Sequence, residues 1–217
     1  MHHSSKTIAK TWLTGLLLAL GMPAMAADVA YTLDPAHTQT QFSWTHLGYS
    51  HPAGGFDDIS GVLQWDAADI AKCSVSVSIS VDSIHTHVPA LDQELRSAKF
   101  FDAGKFPKIT FASTRVERID ARRFKVTGHL TVHGVTKPVV LDVVLNQTGI
   151  YPYLNVPALG FDASTRFKRS DFGMGEGVPM VSDEIVVQIS SEALEAEGFA
   201  KAMKAMSEQS PAPEPKK

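Results

Sequence analysis

The pattern of apolar and polar positions along the chain has mostly a period of two. Over residues 72–82, cysteine, valine and isoleucine alternate with lysine, serine and aspartate, and residues 123–133 show a similar alternation. Successive side chains of a strand point to opposite faces, so each stretch predicts a strand with one apolar and one polar face. Further strands are predicted over residues 38–47, 55–65, 108–117, 138–147, 158–168 and 183–190.

Two segments have helical features instead. In residues 88–100, Pro89 suits a first helical turn, and Leu91, Leu95 and Ala98 recur at helical spacing. The residues after Glu192 have helix-forming composition, and the final SPAPEPKK has too little apolar surface to fold. Many strands with short connections and little helix predict one all-β domain, an antiparallel barrel or a sandwich.

The apolar faces of the predicted strands share a bulky interior, and burying each aliphatic or phenylalanine side chain there contributes ~1.5–3 kcal/mol. A solid core and a barrel of about eight strands around an apolar cavity both fit this pattern. Alternation cannot separate the two, and with alternation alone the solid core is preferred. The inward-facing set is Phe42, Trp44, Val75, Val77, Ile79, Ile109, Phe111, Phe124, Val126, Leu130, Val139, Leu141, Val143, Leu145, Phe161, Phe167, Ile185, Val187 and Ile189.

The N-terminus has the three parts of a secretory signal. Lys6 and Lys10 give a basic start, residues 13–20 form an apolar run, and Ala-Met-Ala at 24–26 is a small-x-small cleavage site. The apolar run is far shorter than the ~20 residues that span a bilayer. We therefore expect cleavage after Ala26 and export to the periplasm without stable membrane insertion.

Charge and cysteine content exclude other classes. The chain has 20 Lys and Arg against 23 Asp and Glu, a net charge of −3 over 217 residues, which leaves no basic excess for nucleic acid. Its single cysteine, Cys73, cannot form an intramolecular disulfide. Because Cys73 alternates with Val75 and Val77, it is predicted to be a small core residue rather than a reactive thiol.

Catalytic and metal-binding signatures are absent from the sequence. It contains no G-x-S-x-G elbow, no H-E-x-x-H helix and no phosphate-binding glycine loop, and the glycine-rich stretch 173–177 is interpreted as a turn between strands. Histidine pairs at 85 and 87 and at 129 and 133 lack further ligands at metal-binding spacing, so they are predicted to be solvent-exposed. No catalytic residue, cofactor or metal is therefore predicted.

His37 and His46 differ from these pairs because both are assigned to the aromatic face that holds Phe42 and Trp44. Each is interpreted as a hydrogen-bonded core residue, with recognition of a polar ligand head as the alternative.

Five segments carry a resemblance to a known family, and they occur in that family's order: YTLDPAHTQTQFSWTHLG, GGFDDISGVLQWD, VDSIHTHVPALDQELRSAKFFDAGKFPKITF, VTGHLTVHGVTKPV and RFKRSDFGM. From about Tyr31 to Ile189 the chain resembles the YceI-like family of bacterial periplasmic polyisoprenoid-binding proteins. The resemblance implies an extended lipocalin-like antiparallel β-barrel of about eight strands, with a short helix between strands and a C-terminal helical extension. It also implies an apolar cavity, which reverses the preference for a solid core.

The organisation that follows is a signal peptide over residues 1–26, a YceI-like barrel over 27–191, and a helical extension with a disordered tail over 192–217. The sequence departs from the family pattern over residues 87–91 and at Glu94, near the expected cavity mouth. The matched family positions are Asp34, His37, Phe42, His46, Leu47, Gly48, Gly55, Phe56, Gly61, Thr86, Asp92, Leu95, Arg96, Ser97, Phe100, Phe101, Pro107, Phe111, Gly128, Leu130, Gly134, Lys137, Pro138, Arg169, Asp171, Phe172 and Gly173.

The expected function is binding and carriage of a long-chain isoprenoid or other lipid-like amphiphile. Arg169, Arg96 and Lys137 are candidate contacts to an anionic head. An enzyme acting on an amphiphile and a stress-related interaction protein stay open as alternatives, and so does the oligomeric state, a homodimer included. The candidate ligand-binding residues are Phe42, Trp44, His46, Val77, Ile79, Phe111, Val126, Leu130, Leu141, Val143, Phe161 and Arg169.

Overall fold

The structure is a computed structural model that describes residues 28–209. The predicted signal peptide and most of the predicted tail lie outside this range. The strands are β1 (Val29–Leu33), β2 (Gln39–Ser43), β3 (Ala53–Phe56), β4 (Ile59–Trp65), β5 (Ser74–Ser80), β6 (Ile84–His85), β7 (Lys108–Arg118), β8 (Arg123–Val132), β9 (Val135–Tyr151), β10 (Val156–Lys168) and β11 (Glu184–Glu195). The helices are α1 (Pro89–Arg96) and α2 (Ala196–Gln209), with short 3₁₀ turns at Ile70–Lys72, Val81–Ser83 and Arg169–Phe172.

Eight strands close into an antiparallel barrel in the order β1-β4-β5-β7-β8-β9-β10-β11, because β1 also pairs with β11. The remaining three strands, β2, β3 and β6, continue the sheet from β11. The all-β barrel with an intervening helix and a C-terminal helix, predicted from the sequence, is confirmed.

One edge of strand β11 pairs with two different strands, β2 and β1. Its first half, residues 186–190, pairs with β2, and its last residues, 193–195, pair with β1. The barrel is thus closed at one end by β1 and widened at the other by the β2-β3-β6 extension. Helix α1, which follows β6, lies at the widened end.

The C-terminal end of β11 was placed differently by the sequence pattern. The predicted strand ended at residue 190 and the predicted barrel at 191, whereas β11 continues to Glu195 and helix α2 starts at Ala196. Ala193 and Leu194 are fully buried in the pairing with β1 and β10. Sheet pairing and burial therefore override the helix-forming composition of EALE.

Other boundaries also shifted. The predicted strand 55–65 is divided into β3 and β4 at residues 57–58, and the short strand β1 was not predicted. Helix α1 begins with Pro89 in its first turn, as predicted, but ends at Arg96 rather than near residue 100. Within residues 28–209, neither helix has the length and apolar content needed to cross a bilayer.

Candidate functional site

The barrel encloses a cavity of about 760 Å³ whose walls are almost entirely apolar. Alternating side chains from β2, β4, β5 and from β7 through β11 point into it, as the period-two pattern predicts. The structure places all the candidate ligand-binding residues on the cavity wall: Phe42, Trp44, His46, Val77, Ile79, Phe111, Val126, Leu130, Leu141, Val143, Phe161 and Arg169. The solid core that alternation alone favoured is wrong.

The mouth of the cavity lies at the widened end of the barrel. Most wall residues are buried or half-buried, whereas His46, Val88, Glu94, Glu176 and Gly177 are exposed. They belong to three segments: the loop after β2, helix α1 with the residue before it, and the loop before β11. These segments form the entrance.

The rim of this entrance carries exposed apolar side chains. Leu47 is 43% exposed, Tyr49 91%, Val88 52% and Met180 66%. The loop that holds Leu47 and Tyr49 is joined to the loop that holds Met180, since the backbone N–H of Leu47 donates to the carbonyl of Met180 at 2.9 Å. The entrance is therefore bordered by exposed apolar surface.

Arg169 borders the cavity but is bonded to the protein backbone. It is only 5% exposed, and its guanidinium donates to the carbonyls of Ser182 at 2.9 Å, Glu176 at 2.7 Å, Val181 at 3.0 Å and Met174. Four of its five N–H donors are thus used within one loop. The prediction that Arg169 contacts a ligand head is replaced by a structural role, which is to hold the entrance loop of residues 173–182.

The other two cationic candidates, unlike Arg169, are not part of the cavity wall. The guanidinium of Arg96 donates to the carbonyls of Asp82 and Ile84, at 3.2 and 2.7 Å, and so fastens α1 to the preceding segment. Lys137 is exposed on β9 and is not part of the cavity wall.

Several wall residues were missed because they do not follow the strand alternation. They lie on α1 or in the segments around it and around the entrance loop, where a period of two gives no signal. The helical spacing of Leu91 and Leu95 was the available signal for two of them. The missed residues of this kind are Leu91, Leu95, Phe100, Phe101 and Met174, and Ile59 was also missed although it begins β4.

Gly128 faces the cavity wall at a point where β7 and β8 come close together. A Cβ at this position would approach the Ala112 carbonyl oxygen to 2.6 Å and would collide with the ring of Phe111. The pairing of β7 with β8 shifts register next to it, between Ser113 and Arg115. A larger residue here would disturb the sheet rather than simply narrow the cavity.

The far end of the cavity is closed by aromatic rings. Trp65, at the end of β4, packs edge to face on Phe124, at the start of β8, with ring centroids 6.1 Å apart. Trp65 also contacts Phe161 at 5.9 Å between centroids. Cys73 is buried beside Phe124, as its alternation predicted, and burial raises the pKa of its thiol. We call Trp65 and Phe124 the floor of the cavity.

The histidines divide into groups that differ in part from the prediction. His87 and His129 are exposed, whereas His85 and His133 are half-buried, and His133 Nδ1 lies 3.2 Å from the carbonyl oxygen of Phe172. His46 is exposed at the entrance rather than hydrogen-bonded in the core.

His37 is exposed on the barrel surface instead of facing the aromatic interior, so that prediction is wrong. Its Nδ1 donates to Oδ2 of buried Asp34 at 2.7 Å and lies 3.9 Å from Oε2 of Glu192. Among the described residues, these three form a group whose potential metal-ligand atoms lie within 4.8 Å of one another. The hydrogen bond to Asp34 already engages the imidazole nitrogen.

The hydrogen bond that His37 donates to Asp34 raises the pKa of His37 above its ordinary value of 6.5, and the charge of Glu192 adds to the effect. The contribution of this interaction to the free energy of unfolding is therefore complete below pH 6.5, and it is lost as pH rises through the raised pKa. We expect Asp34→Asn to lower the pKa of His37 by more than Glu192→Gln does, as followed by NMR of the imidazole C–H protons. An unchanged pKa in Asp34→Asn would contradict this assignment.

Comparison with protein families matches residues 31–193 to the YceI-like domain. The chain belongs to the YceI family. Relatives include a UPF0312 protein of Enterobacter sp. (strain 638), 37% identical over 83% of this chain and 93% of its own length. A UPF0312 protein of Azotobacter vinelandii is 36% identical over 86% of this chain and 96% of its own length.

Solved structures share the YceI barrel. The Campylobacter jejuni YCEI protein superposes with a TM-score of 0.64 at 33% identity, covering 70% of this chain and 89% of the other. BcnA of Burkholderia cenocepacia superposes with a TM-score of 0.67 at 24% identity, covering 74% of this chain and 98% of the other. A polyisoprenoid binding domain from Saccharophagus degradans superposes with a TM-score of 0.59 at 15% identity, covering 77% of this chain and 99% of the other. The last two comparisons concern the fold alone.

Proposed function

We propose that this YceI protein binds a long-chain isoprenoid or similar amphiphile in its barrel cavity and carries it through the periplasm. The observation that carries the proposal is the cavity of about 760 Å³ with apolar walls and an entrance at the widened end of the barrel. Such a volume lies in the range of small-molecule sites. The same fold is found in a polyisoprenoid binding domain, so a barrel of this kind can hold such a ligand in another protein.

Burial of the tail supplies the affinity. Each CH₂ group that leaves water for an apolar site contributes ~0.8 kcal/mol. Ordering a flexible chain and fixing it on the protein oppose this gain. Several isoprene units are needed before the balance favours useful binding, which is why the proposed ligand is a long chain.

The charges at the entrance favour a head without strong negative charge. The ionisable entrance residues on the cavity wall are His46, Glu94 and Glu176, and the buried guanidinium of Arg169 is engaged by four carbonyls. Two carboxylates beside a phosphate or diphosphate would repel it. A neutral head such as an alcohol or a quinone can instead hydrogen-bond to these groups.

The test is binding of a fluorescent long-chain isoprenoid alcohol to the mature protein, followed by extraction and mass spectrometry of the ligand. We expect a stoichiometry of one to one, an unchanged molecule after prolonged incubation, and weaker binding of the matching isoprenoid diphosphate. Conversion into a new species would favour an enzyme. Failure of the alcohol and of other long apolar chains to bind would overturn the carrier proposal.

Export is proposed from the N-terminal signal. Strand β1 begins at Val29, so cleavage after Ala26 would leave the barrel intact. We expect N-terminal sequencing of protein from the periplasmic fraction to begin at Ala27. A chain that begins at Met1 and fractionates with the cytoplasm would refute this part of the proposal.

A further inference from the structure

We infer that the floor of the cavity, Trp65 with Phe124, sets the longest isoprenoid chain that the barrel accommodates. The inference rests on the proposed function and names a specificity determinant within it. Trp65 lies at the C-terminal end of β4 and Phe124 at the N-terminal end of β8. The register of the strands puts both at the end of the barrel opposite to the entrance.

A second volume lies beyond the floor. It measures about 370 Å³ and is lined by residues that include Tyr31, Arg118 and Leu159. Trp65 and Phe124 are the two residues that line both this volume and the main cavity. The aromatic pair is therefore the partition between two spaces that one chain could otherwise occupy in succession.

The two rings differ in how firmly they are held. Phe124 is only 3% exposed, packs with Ile70 and Cys73, and lies under the guanidinium of Arg118 at 5.2 Å from its centroid. Trp65 is half-buried at the end of its strand. Removing the indole of Trp65 would thus open the partition while Phe124 and its packing stay in place.

The partition has a direct consequence for the dependence of affinity on chain length. A tail gains free energy with each isoprene unit that it buries, until its end reaches the aromatic rings. Any further unit stays near the entrance, where it is partly in water. Affinity should then stop rising with length, at a length that depends on Trp65.

The experiment measures dissociation constants for linear isoprenoid alcohols that lengthen by one isoprene unit at a time. For the wild-type protein we expect affinity to rise and then level off. For Trp65→Ala we expect the plateau to begin at a chain at least one unit longer, with that chain bound about tenfold more tightly than by the wild type, a difference of about 1.4 kcal/mol.

The matched control is Trp44→Ala, which removes the same side chain from the wall near the entrance. It is expected to weaken all the alcohols without moving the plateau. Circular dichroism in the near ultraviolet and thermal melting verify folding, and Trp65→Leu serves as the second variant if Trp65→Ala does not fold. An unchanged plateau in a folded Trp65 variant overturns this inference alone. A wild-type protein that binds none of the alcohols overturns the proposed function and the inference with it.

Discussion

Replacing Arg169 with methionine is expected to destabilise the protein by about 3–5 kcal/mol. Methionine has a similar length but no donors, so four carbonyls of the entrance loop, those of Met174, Glu176, Val181 and Ser182, would lose their partner. Each buried acceptor left without a hydrogen bond costs about 1–3 kcal/mol, and water can reach part of this loop. Chemical denaturation followed by circular dichroism measures the loss.

Arg166→Met is the matched control, on strand β10 three residues before Arg169. Arg166 is exposed. Among the described residues its one salt-bridge partner is Glu184, with Nη1 of Arg166 at 3.1 Å from Oε1 of Glu184. Exposed ion pairs contribute about 0–1 kcal/mol, so this variant should remain close to the wild type. Equal stability of the two variants would show that Arg169 does not hold the entrance loop.

Val77→Asp is expected to lower the free energy of unfolding by at least about 2 kcal/mol and to weaken isoprenoid binding by about tenfold or more. Val77 lies in the middle of β5, is half-buried, and faces the cavity opposite Phe111 of β7 and Gly61 of β4. A carboxylate there has no cationic partner on the surrounding wall and must either remain desolvated or take up a proton. Thermal melting and ligand titration report the two effects.

Ser76→Asp tests the opposite face of the same strand. Ser76 is exposed, so its carboxylate would stay in water and should change stability by no more than about 0.5 kcal/mol. Its ligand affinity should match that of the wild type. If the two variants behaved alike, the assignment of inner and outer faces along β5 would be wrong.

The walls of the cavity were predictable because a strand sorts its side chains by simple alternation. Phe111, Val126 and Leu141 belong to strands whose neighbours pair in sequence order, so the inward face could be assigned one strand at a time. The choice between a filled and a hollow interior could not be made this way. It depends on the circumference of the closed sheet, which the family resemblance supplied.

The entrance was less predictable because it depends on contacts between distant segments. Arg169 was selected for its charge, but its partners are backbone carbonyls whose direction is fixed only when the following loop folds back on it. His37 was assigned to the face of Phe42, but counting by twos along β2 gives it the outer register of Gln39 and Gln41, and it lies in the turn before the strand. Alternation holds only as far as the strand itself.

The closure of the barrel by β1 and β11 has a consequence for the order of folding. From β7 to β11 each strand pairs with the next in the chain, whereas closure brings Tyr31 to Glu195 from opposite ends of the sequence. Pairing over so long a separation has the largest entropic cost and is expected late in folding. Until that step the sheet is open and curved like a trough, and its apolar face is exposed to other unfolded chains. A ligand that enters the trough early would therefore act as a folding template as well as a cargo.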